Sequence, residues 1–132
     1  MTAGTLWSFE PLALGCDVES VARFADKASQ PAFLARVYAP DEIAYCCARA
    51  NPAPHLAARF CAKEASIKAL RSLCPDAPSV RLNAIEVIRL AGQAPRLAIH
   101  HPAFSGVDLQ VSLSHTDDIA MAVVTARGAI QL

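Results

Sequence analysis

Val107, Leu109, Val111 and Leu113 alternate with Asp108, Gln110, Ser112 and Ser114. A period of two marks a strand with one covered face and one polar face. Thr116-Asp117-Asp118 turns the chain, and Ile119 to Thr125 returns as a second strand, so the two form a hairpin. Upstream, Val80 to Leu90 is rich in Val, Ile and Leu, and Ala91 to Ala94 turns into Pro95–His100 as another hairpin. The pattern changes to helical between His55 and Leu73, a stretch without Gly or Pro and rich in Ala, Leu, Lys, Arg and Glu. Near the start, Leu12 to Asp17 reads as a short strand ending on a carboxylate. A helix is expected after it, with Val21, Phe24 and Ala25 on one side and Pro31 as its stop. Asp41 is expected to cap a helix through Ala50, broken by Pro52 and Pro54. Helices and a mostly antiparallel sheet in this order predict an α+β fold, the sheet packed on the long helix, with residues 1–132 as one domain.

Composition narrows the classes of function. With 54% apolar and 18% charged residues, the chain is expected to fold rather than remain disordered. Twelve basic and twelve acidic residues cancel, against the strong positive charge of a typical nucleic-acid binder. No apolar stretch approaches the ~20 residues of a membrane span. Met1 to Pro11 lacks a basic segment and carries Glu10, which predicts no signal peptide and a cytoplasmic protein. The five cysteines are odd in number and show no Cys-x-x-Cys spacing, as expected of reduced thiols. A neutral chain this apolar is expected to cover surface by self-association.

Three groups of residues could carry chemistry. Phe60, Glu64 and Lys68 are four apart and share a helix face. Alone, Glu64 and Lys68 make an ordinary exposed pair, but the surrounding helix is apolar nearly all round, which favours a cleft or subunit boundary. Asp17 and Glu19, two apart in an extended segment, point the same way. Two such carboxylates suit a hard divalent cation, or else Glu19 simply begins a helix. His115 keeps the parity of Leu113 and is expected on the covered side of the sheet at the strand's end. A serine hydrolase is disfavoured, because the nucleophile-elbow glycines are missing. Arg59, Lys63, Lys68 and Arg71 add the positive charge of a phosphate site.

Gly15-Cys16-Asp17-Val18-Glu19 followed by Phe60-Cys61-Ala62-Lys63-Glu64-Ala65-Ser66-Ile67-Lys68 resembles the two-part signature of the 4′-phosphopantetheinyl transferases. Ser112-Leu113-Ser114-His115-Thr116 before an apolar strand resembles the family's last hairpin, and the likeness runs from about Leu12 to Thr125. The length is similar to that of the short, single-repeat branch, the holo-acyl-carrier-protein synthases, which are homotrimers with active sites between subunits. Asp17-x-Glu19 is more typical of the long branch.

The resemblance implies Mg²⁺-dependent transfer of the phosphopantetheine arm of coenzyme A to a serine of an apo acyl or peptidyl carrier protein, releasing 3′,5′-ADP. It implies Asp17 and Glu64 as ligands of Mg²⁺ (or Mn²⁺), with Glu19 as a third. It implies Glu64 as the base for the serine and Lys68 as the stabiliser of phosphate charge. Lys63 and Arg59 become phosphate contacts, His115 a contact to the nucleotide end, and Arg23 a docking contact for the carrier. The chain departs from the branch where Lys68-Ala69-Leu70-Arg71-Ser72-Leu73 replaces a Gly-Thr-Gly turn, so the helix is expected to continue. Gly92-Gln93-Ala94-Pro95 is one residue longer than the family's Gly-x-Pro turn, and the docking helix is poor in basic residues. These departures leave open a non-catalytic relative that binds coenzyme A or a carrier. A structural α+β oligomer is the remaining alternative.

Overall fold

The structure, a computed structural model, describes residues 11–132. The reading of the N-terminus rests largely on residues 1–10, which lie outside them. The expected α+β architecture is present. Strand β1 (Ala13–Ser20) leads through two 3-10 turns into α1 (Pro31–Val37), α2 (Pro40–Cys47) and the 22-residue α3 (Pro52–Leu73). Strands β2 (Ile85–Ile88) and β3 (Arg96–Ile99) form one hairpin, and β4 (Gly106–His115) and β5 (Ile119–Ala129) form the other. The main sheet has the order β1-β5-β4, antiparallel throughout, and β2-β3 makes a separate two-stranded sheet. No described helix is long and apolar enough to cross a membrane.

Several expected boundaries move, for local reasons. Pro31 opens α1 rather than stopping a helix, and Pro52 opens α3. Proline fits a first helical turn, where its missing N–H has no partner to lose. The segment after β1 is not one helix but 3-10 turns at Val21–Phe24 and Lys27–Ser29, and Ala25 is exposed while Val21 and Phe24 are buried. Ala39, not Asp41, precedes α2, and its N–H donates to Glu42 Oε1 at 2.9 Å. The strand expected over Val80–Leu90 shrinks to Ile85–Ile88, behind a 3-10 turn at Leu82–Ala84.

One face of the main sheet packs on α3. Ala13, Ala120, Ala122, Val124 and Ala126 are buried there, against Ala62, Ala65 and Ala69 of the helix. Small residues on both sides bring helix and sheet close, and Gly15 is where they come closest. A Cβ on Gly15 would stand 1.9 Å from the Ala65 carbonyl oxygen and 2.7 Å from the Ala69 nitrogen. Only glycine fits a backbone contact of this kind. The opposite face carries Leu14, Val18 and Ile119, which are 61%, 55% and 50% exposed.

Candidate active site

Asp17 lies on the helix-facing side of β1, two residues past Gly15, so the close approach delivers it to α3. Its register partner is Ala122, which in turn pairs with Leu113. From the helix, Lys68 Nζ donates to Asp17 Oδ1 at 3.1 Å and to the Cys16 carbonyl at 2.9 Å. Glu64 is one turn earlier on the same face of α3, since residues four apart align. It is half-buried. Burial and then the negative charge of Asp17 push its carboxyl above the ordinary carboxylate range, while Lys68 pulls it down and Glu19 adds to the rise. The structure therefore unites Asp17, Glu64 and Lys68. The second oxygen of Asp17, Oδ2, is buried and has no hydrogen-bond partner. An acceptor in that state is costly unless a donor or cation satisfies it. Beside a second carboxylate, the missing partner fits a divalent cation.

Other expected roles change. Glu19 faces the site as well, and Arg23 Nη1 holds its Oε2 at 2.5 Å. Among the described residues no three His, Cys, Asp or Glu side chains gather into a metal cage. Two carboxylates, with water and phosphate completing the shell, suit Mg²⁺ better than a closed cage does. Arg23 keeps its side chain 67% exposed despite that pair. Lys63, expected to contact phosphate, is completely buried. Its Nζ donates to Glu42 Oε1, to the Leu82 carbonyl at 3.1 Å and to the Ile85 carbonyl, and so its donors are spent inside the protein.

Arg59 is also buried, but its requirements are not met. Nη1 reaches the His55 carbonyl only at 3.4 Å, the guanidinium lies 4.4 Å from the Tyr45 ring centroid, and Nε has no partner. His115 continues the helix-facing parity as expected but is exposed, with its ring 6.3 Å from that of His55. The helix runs on past Lys68 to Leu73, as the missing glycines predict. The residues not foreseen are Gly15 as the point of contact, Glu42 as the partner of Lys63, and Tyr45 and His55 beside Arg59. Glu42 carried a faint signal, an acidic side chain three residues beyond Ala39, the residue that precedes a proline-led helix.

The model of the 4′-phosphopantetheinyl transferase superfamily matches residues 13–124. The chain belongs to this superfamily. The match takes in β1, all of α3 and most of β5, so both halves of the site fall within it. A protein of Moorella thermoacetica named holo-[acyl-carrier-protein] synthase is 40% identical over 124 residues, covering 85% of this chain and 91% of the relative. Another of that name from Anaeromyxobacter dehalogenans is 42% identical over 129 residues, covering 89% and 97%. Among solved structures, the complex of Chronobacterium ammoniagenes ACPS with CoA superposes with a TM-score of 0.77 at 29% identity, covering 90% of this chain and 98% of that one. The likeness in length places the chain with the short, single-repeat transferases.

Proposed function

We infer that this chain is a holo-acyl-carrier-protein synthase, which transfers phosphopantetheine from coenzyme A to the serine of an apo acyl carrier protein. The observation that carries the reading is the pairing of Asp17 and Glu64, with the buried Asp17 Oδ2 left without a partner. In this reading Asp17 and Glu64 hold Mg²⁺, for which Mn²⁺ can substitute. When bound, the metal neutralises charge on the pyrophosphate of coenzyme A.

The remaining steps belong to the chain's own residues. Glu64 takes the proton from the attacking serine hydroxyl. Lys68 is 55% exposed, so its ammonium can turn from Asp17 toward the leaving phosphate and stabilise the charge that develops there. Arg59 and His115 contact the phosphate at the nucleotide end, and Arg23 meets the acidic carrier. Lys63 holds α3 in place rather than touching substrate. Residues 1–132 act as one domain. The apolar outer face of the main sheet supports a homotrimer, because Leu14, Val18 and Ile119 need cover. The five unpaired cysteines support a reducing, cytoplasmic setting.

The deciding experiment incubates the protein with coenzyme A, Mg²⁺ and apo carrier proteins, and reads the carrier's intact mass with an EDTA control. A Mg²⁺-dependent gain of one phosphopantetheine arm is expected. Coenzyme A binding with no gain on any carrier would instead establish the non-catalytic relative.

A further inference from the structure

Five cationic or protonatable side chains converge around Tyr45 at the N-terminal end of α3. His55, in the first turns of that helix, meets the Tyr45 ring edge-on at 5.9 Å between centroids, and the His115 ring, from the end of β4, lies 6.3 Å from His55. The guanidinium groups of Arg49 and Arg59 lie 4.3 and 4.4 Å from the Tyr45 centroid. Arg89, just after β2, lines a cavity of about 150 Å³ with Tyr45 and Arg59. The acidic groups of that cavity are Asp41, Glu42 and Glu86. Glu42 is committed to Lys63, Glu86 lies 2.8 Å from His100 Nε2, and Asp41 is exposed. The cluster keeps an excess of positive charge and one unmet donor, Arg59 Nε, on a residue only 4% exposed.

We infer that His55 is a ligand-binding residue of this subsite and gains a proton as the phosphate monoester of coenzyme A binds there. The inference rests on the function proposed above and adds proton linkage to it. In the free protein, burial and then Arg59, His115, Arg49 and Arg89 all hold His55 below the ordinary imidazole range. A phosphate dianion placed among the same groups reverses the sign of the field at the ring. The complex then binds more protons than the free protein, so affinity falls as pH rises through the window between the two values. One linked proton allows at most about a tenfold change in affinity per pH unit. A phenylalanine at this position would keep the edge-on contact with Tyr45 and lose the proton.

Calorimetry tests this with the full chain, Mg²⁺, and either coenzyme A or dephospho-coenzyme A, at pH 7.5 in two buffers of different ionisation heat. Wild type is expected to take up measurably more protons with coenzyme A than with dephospho-coenzyme A. His55→Phe and His55→Gln, checked for wild-type circular dichroism, should lose at least half of that difference and weaken coenzyme A binding. Equal uptake by wild type and both variants overturns the inference, as does equal uptake with the two ligands. If wild type binds coenzyme A by no measure, the proposed function itself fails, and the two failures are told apart.

Discussion

Lys63 Nζ lies 2.6 Å from Glu42 Oε1, and solvent reaches neither side chain. Each carboxylate oxygen has further work. Oε1 accepts the Ala39 N–H at 2.9 Å and Oε2 accepts the Val87 N–H at 3.1 Å, so one pair fastens α2, α3 and β2 together. Removing one partner leaves an uncompensated charge in the interior, which costs about 3–5 kcal/mol. Lys63→Met and Glu42→Gln are each expected to lower stability in urea unfolding by about that amount. The double change to apolar residues should recover part of the loss.

The two carboxylates proposed to hold the metal behave in the opposite way. Asp17 and Glu64 raise each other's energy when both are ionised without a cation between them. Asp17→Asn and Glu64→Gln should therefore cut phosphopantetheine transfer by about 100-fold or more and leave the unfolding midpoint of the metal-free protein unchanged or higher. Mg²⁺ should raise the midpoint of wild type and not that of Asp17→Asn, as ligand linkage requires. Transfer is read by carrier mass, and the midpoint by calorimetric or fluorescence melting.

Gly15→Ala places a methyl group against backbone that cannot turn aside. The helix must lift from β1, at a cost of about 3 kcal/mol, the upper end of what overpacking usually brings. Because Asp17 rides on the same strand, transfer should fall along with stability. Chemical denaturation with a parallel transfer assay checks both.

The thiols separate into classes that alkylation can count. Burial pushes Cys46 up to about 11, and burial followed by the charges of Asp17 and Glu19 pushes Cys61 up to about 12. At pH 8 neither should react with iodoacetamide until the protein unfolds, because the thiolate is the nucleophile. Cys16 and Cys47 are both exposed, but only Cys16 stands on the apolar outer face of the sheet. If the proposed trimer forms through that face, Cys16 should be protected while Cys47 labels fully. Rapid labelling of both at micromolar concentration would count against that assembly.

The sequence pattern made β4 and β5 plain, because alternation of apolar and polar residues survives when one face is covered. The body of α3 was plain for a similar reason, its Ala, Leu, Lys and Glu being strong helix formers, and the signature on β1 and α3 marked Asp17, Glu64 and Lys68. Pro31 and Pro52 misled, since proline opens a helix as readily as it ends one. Lys63 misled for a deeper reason. Its partner Glu42 is 21 residues away, and no local pattern distinguishes a lysine that meets a buried carboxylate from one that meets substrate. The ion pair between Glu19 and Arg23, four residues on, was equally unmarked.

Strand β1 presents Gly15, Asp17 and Glu19 to the helix and Leu14, Cys16 and Val18 to the outside, by alternation along one strand. Inserting or deleting a single residue between Ala13 and Asp17 would exchange the two sets, putting a side chain against the Ala65 carbonyl and a thiol or valine where the carboxylate stood. The turn at Ala91–Pro95 makes no such close contact: its Gly92 is held to glycine by a φ of +74°, but a methyl group there would meet nothing within 4 Å. Changes of chain length can therefore accumulate between β2 and β3, while β1 must keep its residue count.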